Sequence, residues 1–233
     1  MAPAPAHAQA PAPDTVKTLE ITADLGFVNT AGNSDVTTFN VGDKLIFRTR
    51  DKRNILTQHF ALVYGRSEGE TVASNWRASG RYERGLNDRL YLYGILGMDR
   101  DRLAGISRRF EEGAGVSWKA FALPRSELGF EFGLSLIQQR SLAGIDDNFT
   151  AGRLSGAFRH KFTETASFTQ AVEFLPNLET SDDYRLNSET AVVAALSRRL
   201  SFKVGYVIRF DNLPEPGFEK TDRLLTTGLQ VAY

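Results

Sequence analysis

From residue 16 onward the chain repeats one theme: apolar and polar side chains alternate over about ten residues, and a cluster of Gly, Asn, Asp, Ser or Pro follows. Period two marks a β-strand, because successive side chains there point to opposite faces. The clearest run spans residues 200–211, where Leu200, Phe202, Val204, Tyr206, Ile208 and Phe210 alternate with Ser201, Lys203, Gly205, Arg209 and Asp211. The same pattern sets Leu19, Ile21, Ala23, Leu25 and Phe27 against Glu20, Thr22 and Asp24. It also sets Leu128, Phe130, Phe132, Leu134 and Leu136 against Glu127, Glu131 and Ser135. Twelve such runs can be drawn: 17–29, 36–49, 55–66, 73–85, 90–101, 107–121, 126–140, 149–162, 166–177, 184–197, 200–211 and 221–233.

The connections alternate in length. Short ones fall near Asp51, Asn87-Asp88, residues 122–125, residues 163–165 and Arg198-Arg199, with longer ones between them. Short turns at one end, long loops at the other and both termini on the short side is the layout of a bacterial outer-membrane barrel with an even strand number. The expected fold is all-β: a closed antiparallel transmembrane β-barrel of about twelve strands, with ten as the alternative count. Alternation alone does not say which face is wet, but size does. About eight strands already surround one small ligand, so a twelve-strand soluble barrel would enclose a wide dry lumen that nothing fills. The apolar face is therefore assigned to lipid and the polar face to the lumen.

That assignment gathers a charged lumen lining of both signs: Arg77, Arg81, Glu83, Glu127, Glu131, Arg153, Arg159, Glu189, Lys203 and Arg209. Structural ion pairing is the commoner role for such groups, and ligand contact the alternative; unpaired charges would be costly unless water enters. Trp76, Trp118, Tyr64, Tyr82, Tyr206 and Tyr233 lie on apolar faces, several near strand ends, where interfacial girdles need an apolar body with a polar tip. Asp43 and Glu112 fall on the apolar phase, which implies a bulge, a rim position or a shifted register.

Composition would hide all this. Hydrophobic residues make up 42% and charged residues 24%, an ordinary soluble balance, yet a membrane strand needs only about ten residues, half of them apolar. The formal net charge of zero removes the electrostatic case for nucleic acid. Cysteine is absent, which excludes a disulfide frame, a thiolate metal site and a cysteine nucleophile. The opening MAPAPAHAQAPAP is uncharged Ala/Pro sequence containing the small-x-small triplet Ala8-Gln9-Ala10. It reads either as a signal-peptide remnant behind a new initiator Met or as a Pro-rich linker. Residues 1–15 are thus expected to form a disordered leader, and residues 16–233 the barrel.

Residues 30–42 (TAGNSDVTTFNVG), 77–94 (RASGRYERGLNDRLYLYG), 110–118 (FEEGAGVSW) and above all 186–233, with the closing run YVIRFDNLPEPGFEKTDRLLTTGL, resemble the YdiY-like family of salt-induced outer-membrane proteins, a domain-of-unknown-function family. The resemblance implies an outer-membrane barrel and carries over no catalytic residue. Tyr233, preceded by Val231 and Leu229, resembles the aromatic end signal read by the barrel-assembly machinery; its deletion is expected to lower outer-membrane accumulation while sparing refolding in detergent.

Catalytic chemistry finds little support. His7, His59 and His160 are the only histidines; His59 sits mid-strand on the lumen phase and His160 near a periplasmic turn, away from where lipid would be cut. Asp146-Asp147, Asp182-Asp183 and the pair Asp99/Asp101 lie in or near the long loops as candidate calcium or lipopolysaccharide-bridging oxygens, without EF-hand spacing. No cofactor, no metal site and no enzyme activity are expected. The function expected is a narrow channel or transport pore for small solutes or ions. A non-conducting structural or stress-response barrel is the alternative, and a lipid-modifying enzyme ranks below both. The expected partners are outer-membrane lipid, lipopolysaccharide and, during insertion, the assembly machinery, with the protein itself a monomer.

Overall fold

The structure is a computed structural model that describes residues 18–30, 36–67, 70–102 and 104–232; the leader of residues 1–15 and Tyr233 lie outside the described residues. Among the described residues twelve antiparallel strands form a closed barrel in which each pairs with its sequence neighbours and β1 pairs with β12. They are β1 (Leu19–Thr30), β2 (Val36–Arg48), β3 (Asn54–Ser67), β4 (Glu70–Gly85), β5 (Leu90–Asp101), β6 (Ile106–Ala122), β7 (Ser126–Ser141), β8 (Asp146–Lys161), β9 (Ala166–Pro176), β10 (Tyr184–Ala195), β11 (Leu200–Asp211) and β12 (Thr221–Ala232). With 11 to 17 residues each, they reach or exceed the roughly 9–11 that a tilted strand needs to cross a bilayer. Closure matters in lipid, where an unpaired backbone edge would leave polar groups without partners.

The sheet closes through a close backbone approach. At the β1–β12 seam a Cβ on Gly26 would meet the Thr227 carbonyl oxygen at 2.4 Å, and one on Gly228 would meet that of Leu25 at 2.4 Å. Only glycine at both positions lets the first and last strands come together.

Alternation falls as the sequence predicts. Leu25, Phe27, Leu96, Phe132, Leu134, Leu136 and Leu225 are each more than half exposed on the outer face, a cost in water and a requirement in hydrocarbon. Aromatic clusters mark both rims: Trp118 stacks on Phe130 at 6.0 Å and His160 meets Phe162 at 5.1 Å near the short turns, while Tyr184 lies between Phe174 and Phe210 at the long-loop end. Tyr206 faces outward in mid-strand, not at a rim.

Asp43 and Glu112 stay on the outer phase in unbroken ladders, Asp43 between Ala23 and Phe60 and Glu112 between Leu96 and Leu136. The register shifts lie elsewhere, at Gly65/Arg66, Asp99/Asp101, Ile106/Arg108 and Lys119/Phe121, so neither acid is explained by a bulge. Glu112 borders an outer groove over Gly80, Gly94 and Ala114, walled by Leu96, Leu134 and Leu136. Nothing in the structure explains Asp43.

The turns use their own polar side chains. In the β2–β3 turn, hydrogen bonds from the Thr49 hydroxyl and the Arg53 amide hold the Asp51 carboxyl below its usual range.

Candidate functional site: the charged lumen

Because the strands alternate, every second residue projects inward, and the ladders decide which charges meet. Arg81 on β4 reaches past two strands to Glu131 on β7 in a two-pronged bridge of 2.8 and 3.1 Å. It also binds Glu83 at 3.0 Å and lies over the Tyr93 ring at 4.1 Å. Two parallel charged hydrogen bonds fix a guanidinium more firmly than a single contact does. Ser155 donates to the same Glu131 at 3.2 Å.

A second cluster surrounds Arg153 on β8, which contacts Glu111 at 3.1 Å and Glu173 at 2.5 Å. Ser135 donates to Glu111 at 2.8 Å and the Asn187 amide to Glu173 at 3.0 Å, so both carboxylates are held on more than one side. In a third cluster Asp99 lies 3.6 Å from both Arg77 and Arg109. Lys203 binds Asp24 at 2.9 Å, and Gln230 takes the other Asp24 oxygen at the same distance. The sequence-predicted lining is therefore divided into separate clusters. Glu127 and Arg159 face one another in the β7–β8 ladder without closing an ion pair, and Glu189 has none among the described residues.

Asp99 and Asp101, expected in or near a long loop as candidate cation ligands, end β5 beside that loop and on the lumen face, where arginines claim them. Asp101 binds Arg209 of β11, six strands away in a ring of twelve, so that bridge crosses the lumen from wall to wall. The other acidic pairs have turn roles: Asp146 faces Arg140 at 3.6 Å, and Asp183 accepts the Asn177 amide at 2.7 Å.

Four apolar side chains on the inward phase share this interior. Ile137, Phe149 and Ala151 pack together on the lumen face of β7 and β8, with Leu175 buried on β9. The Arg185 guanidinium lies 5.4 Å from the centre of the Phe149 ring.

Four of the long loops meet above them. Gly105, with φ +75°, follows β5, and a Cβ there would come within 2.8 Å of the Phe218 ring from the β11–β12 loop on the opposite wall. Leu142 of the β7–β8 loop donates to the Gly105 carbonyl at 2.7 Å, and the Asn212 amide to Asp182 of the β9–β10 loop at 2.9 Å. Burial, followed by the nearby Asp147 and Asp211, raises the pKa of Glu215 in that cap.

A closed barrel with an apolar exterior and a charged, partly open interior is an outer-membrane β-barrel. The chain belongs to the family described as "Protein of unknown function, DUF481", which matches residues 23–233. It is 30% identical over 164 residues to "Uncharacterized protein YdiY" of Escherichia coli (strain K12), an alignment covering 70% of this chain and 64% of that protein, so the chain spans just under two thirds of its relative's length. Among solved structures it is similar in fold to the NanC porin (TM-score 0.51, 8% identity, 92% of this chain and 97% of that one). It is also similar to the translocator domain of autotransporter NalP from Neisseria meningitidis (TM-score 0.51, 12% identity, 95% and 90%).

Proposed function

We propose that the barrel is a narrow channel for small solutes and ions. The observation that carries this reading is the pair of cavities inside the barrel, about 480 and 750 Å³, which share lining residues and follow one another along the lumen. Side chains line this space without filling it, and pairing between walls narrows it. Acidic and basic groups interleave around the interior, so strong selectivity for one sign of ion is not expected.

In planar bilayers the wild type should show a small single-channel conductance. Neutralising the two-pronged bridge with Arg81→Gln and Glu131→Gln together should raise it, because the guanidinium would no longer be held across the opening. If wild type and double variant alike pass no current, the channel reading fails. The structural-barrel reading then takes its place, favoured by the wall-to-wall Arg209–Asp101 bridge and the loops joined above it.

A further inference from the structure

The two lumen cavities share Asp24, His59, Arg81, Ile95, Glu189 and Lys203, which makes these six side chains the collar between them. Three of the collar charges are already engaged. Both oxygens of Asp24 are taken by Lys203 and Gln230, and Arg81 is held by Glu131 and Glu83. A solute meeting these groups would have to displace a formed charged hydrogen bond.

Glu189 and His59 differ. Among the described residues neither makes a hydrogen bond or ion pair, and the same holds for Lys44, the ladder partner of His59 that lines the lower cavity. On its own wall Glu189 is flanked by Ala171 and Val207, so no adjacent lumen side chain neutralises it. Lys44 stands four strands round the barrel on β2 and His59 five strands round on β3, and Glu189 is the carboxylate whose charge acts on both. All three side chains are exposed to the lumen, so the charges of Lys44 and Glu189 are hydrated and available, and the His59 ring offers an N–H donor.

We propose that this collar binds a small zwitterion, an amino-acid-like solute whose carboxylate meets Lys44 and His59 and whose ammonium meets Glu189. The proposal rests on the channel reading above and names its solute class. A simple anion would gain from Lys44 and be repelled by Glu189, and a simple cation would meet the reverse. An uncharged solute would leave both hydrated charges unmatched. Only a solute carrying both signs improves the electrostatics on both walls at once.

The test is osmotic swelling of liposomes containing the purified barrel, with L-serine compared against erythritol, an uncharged molecule of similar size. Wild type should admit serine about threefold faster, the scale expected of contacts between solvated charges. E189Q and K44M should each bring the two rates close to parity, with heat-modifiable gel mobility reporting that each variant is folded; if one misfolds, the other decides. A serine preference that survives both substitutions, or that wild type lacks while erythritol enters, overturns the zwitterion site and leaves the channel standing. A wild type that admits neither solute overturns the channel reading itself.

Discussion

Val204→Arg should cost the barrel about 2–4 kcal/mol of folding stability in a bilayer, the penalty for arginine on a lipid face near the midplane. Val204 lies in the middle of β11 on the same outward phase as Phe202 and Tyr206, which are 43% and 39% exposed. No neighbouring group on that face offers a carboxylate, since Val204 pairs with Val192 and Thr227. Lys203→Arg, one residue away, should cost far less: the new guanidinium stays in the lumen and keeps Asp24 as its partner. Reversible unfolding in lipid vesicles measures both, and equal losses would mean that the two faces have been assigned wrongly.

Arg153→Ala should cost about 3–5 kcal/mol, because removing one member of a buried ionic cluster strands the others. Its side chain is 11% exposed, and those of Glu111 and Glu173 are 14% and 17%, so little water reaches either carboxylate to replace the lost cation. Ser135 and Asn187 would still donate to them without balancing their charge. Arg48→Ala is the control: its bridge to Glu20 is shorter than the Arg153–Glu111 contact, but the partners are 28% and 42% exposed, and such pairs contribute about 0–1 kcal/mol. Comparable losses for the two substitutions in the vesicle assay would show that water fills the whole lumen and that no cluster within it is dry.

Strand count and face assignment were legible in the sequence because both rest on local period two, which the pleat enforces wherever one face meets lipid. The interior was legible only in part. Lipid accepts one kind of side chain, but the lumen tolerates anything that fits, so Ile137, Phe149 and Leu175 on the inward phase send no contrary signal. Which charges meet was not readable either. Arg81 and Glu131 are 50 residues apart, and Arg209 and Asp101 are 108 apart; only closure of the ring brings them together. The run 90–101 already placed Asp99 and Asp101 at the end of a strand beside a long loop, but their arginine partners come from other strands and could not be read from it. The DNLPEPGFEK run that carried the family resemblance forms the end of β11 and the loop placing Phe218 against Gly105.

A water-accessible charged interior inside a lipid-facing apolar wall can be probed position by position, because the chain contains no cysteine. Single cysteines at Phe202, Lys203, Val204, Gly205, Tyr206 and Val207 in the bilayer-embedded protein should react with a small, water-soluble, membrane-impermeant thiol reagent in strict alternation, with 203, 205 and 207 labelled and 202, 204 and 206 protected. Uniform labelling along β11, or the opposite alternation, would contradict it.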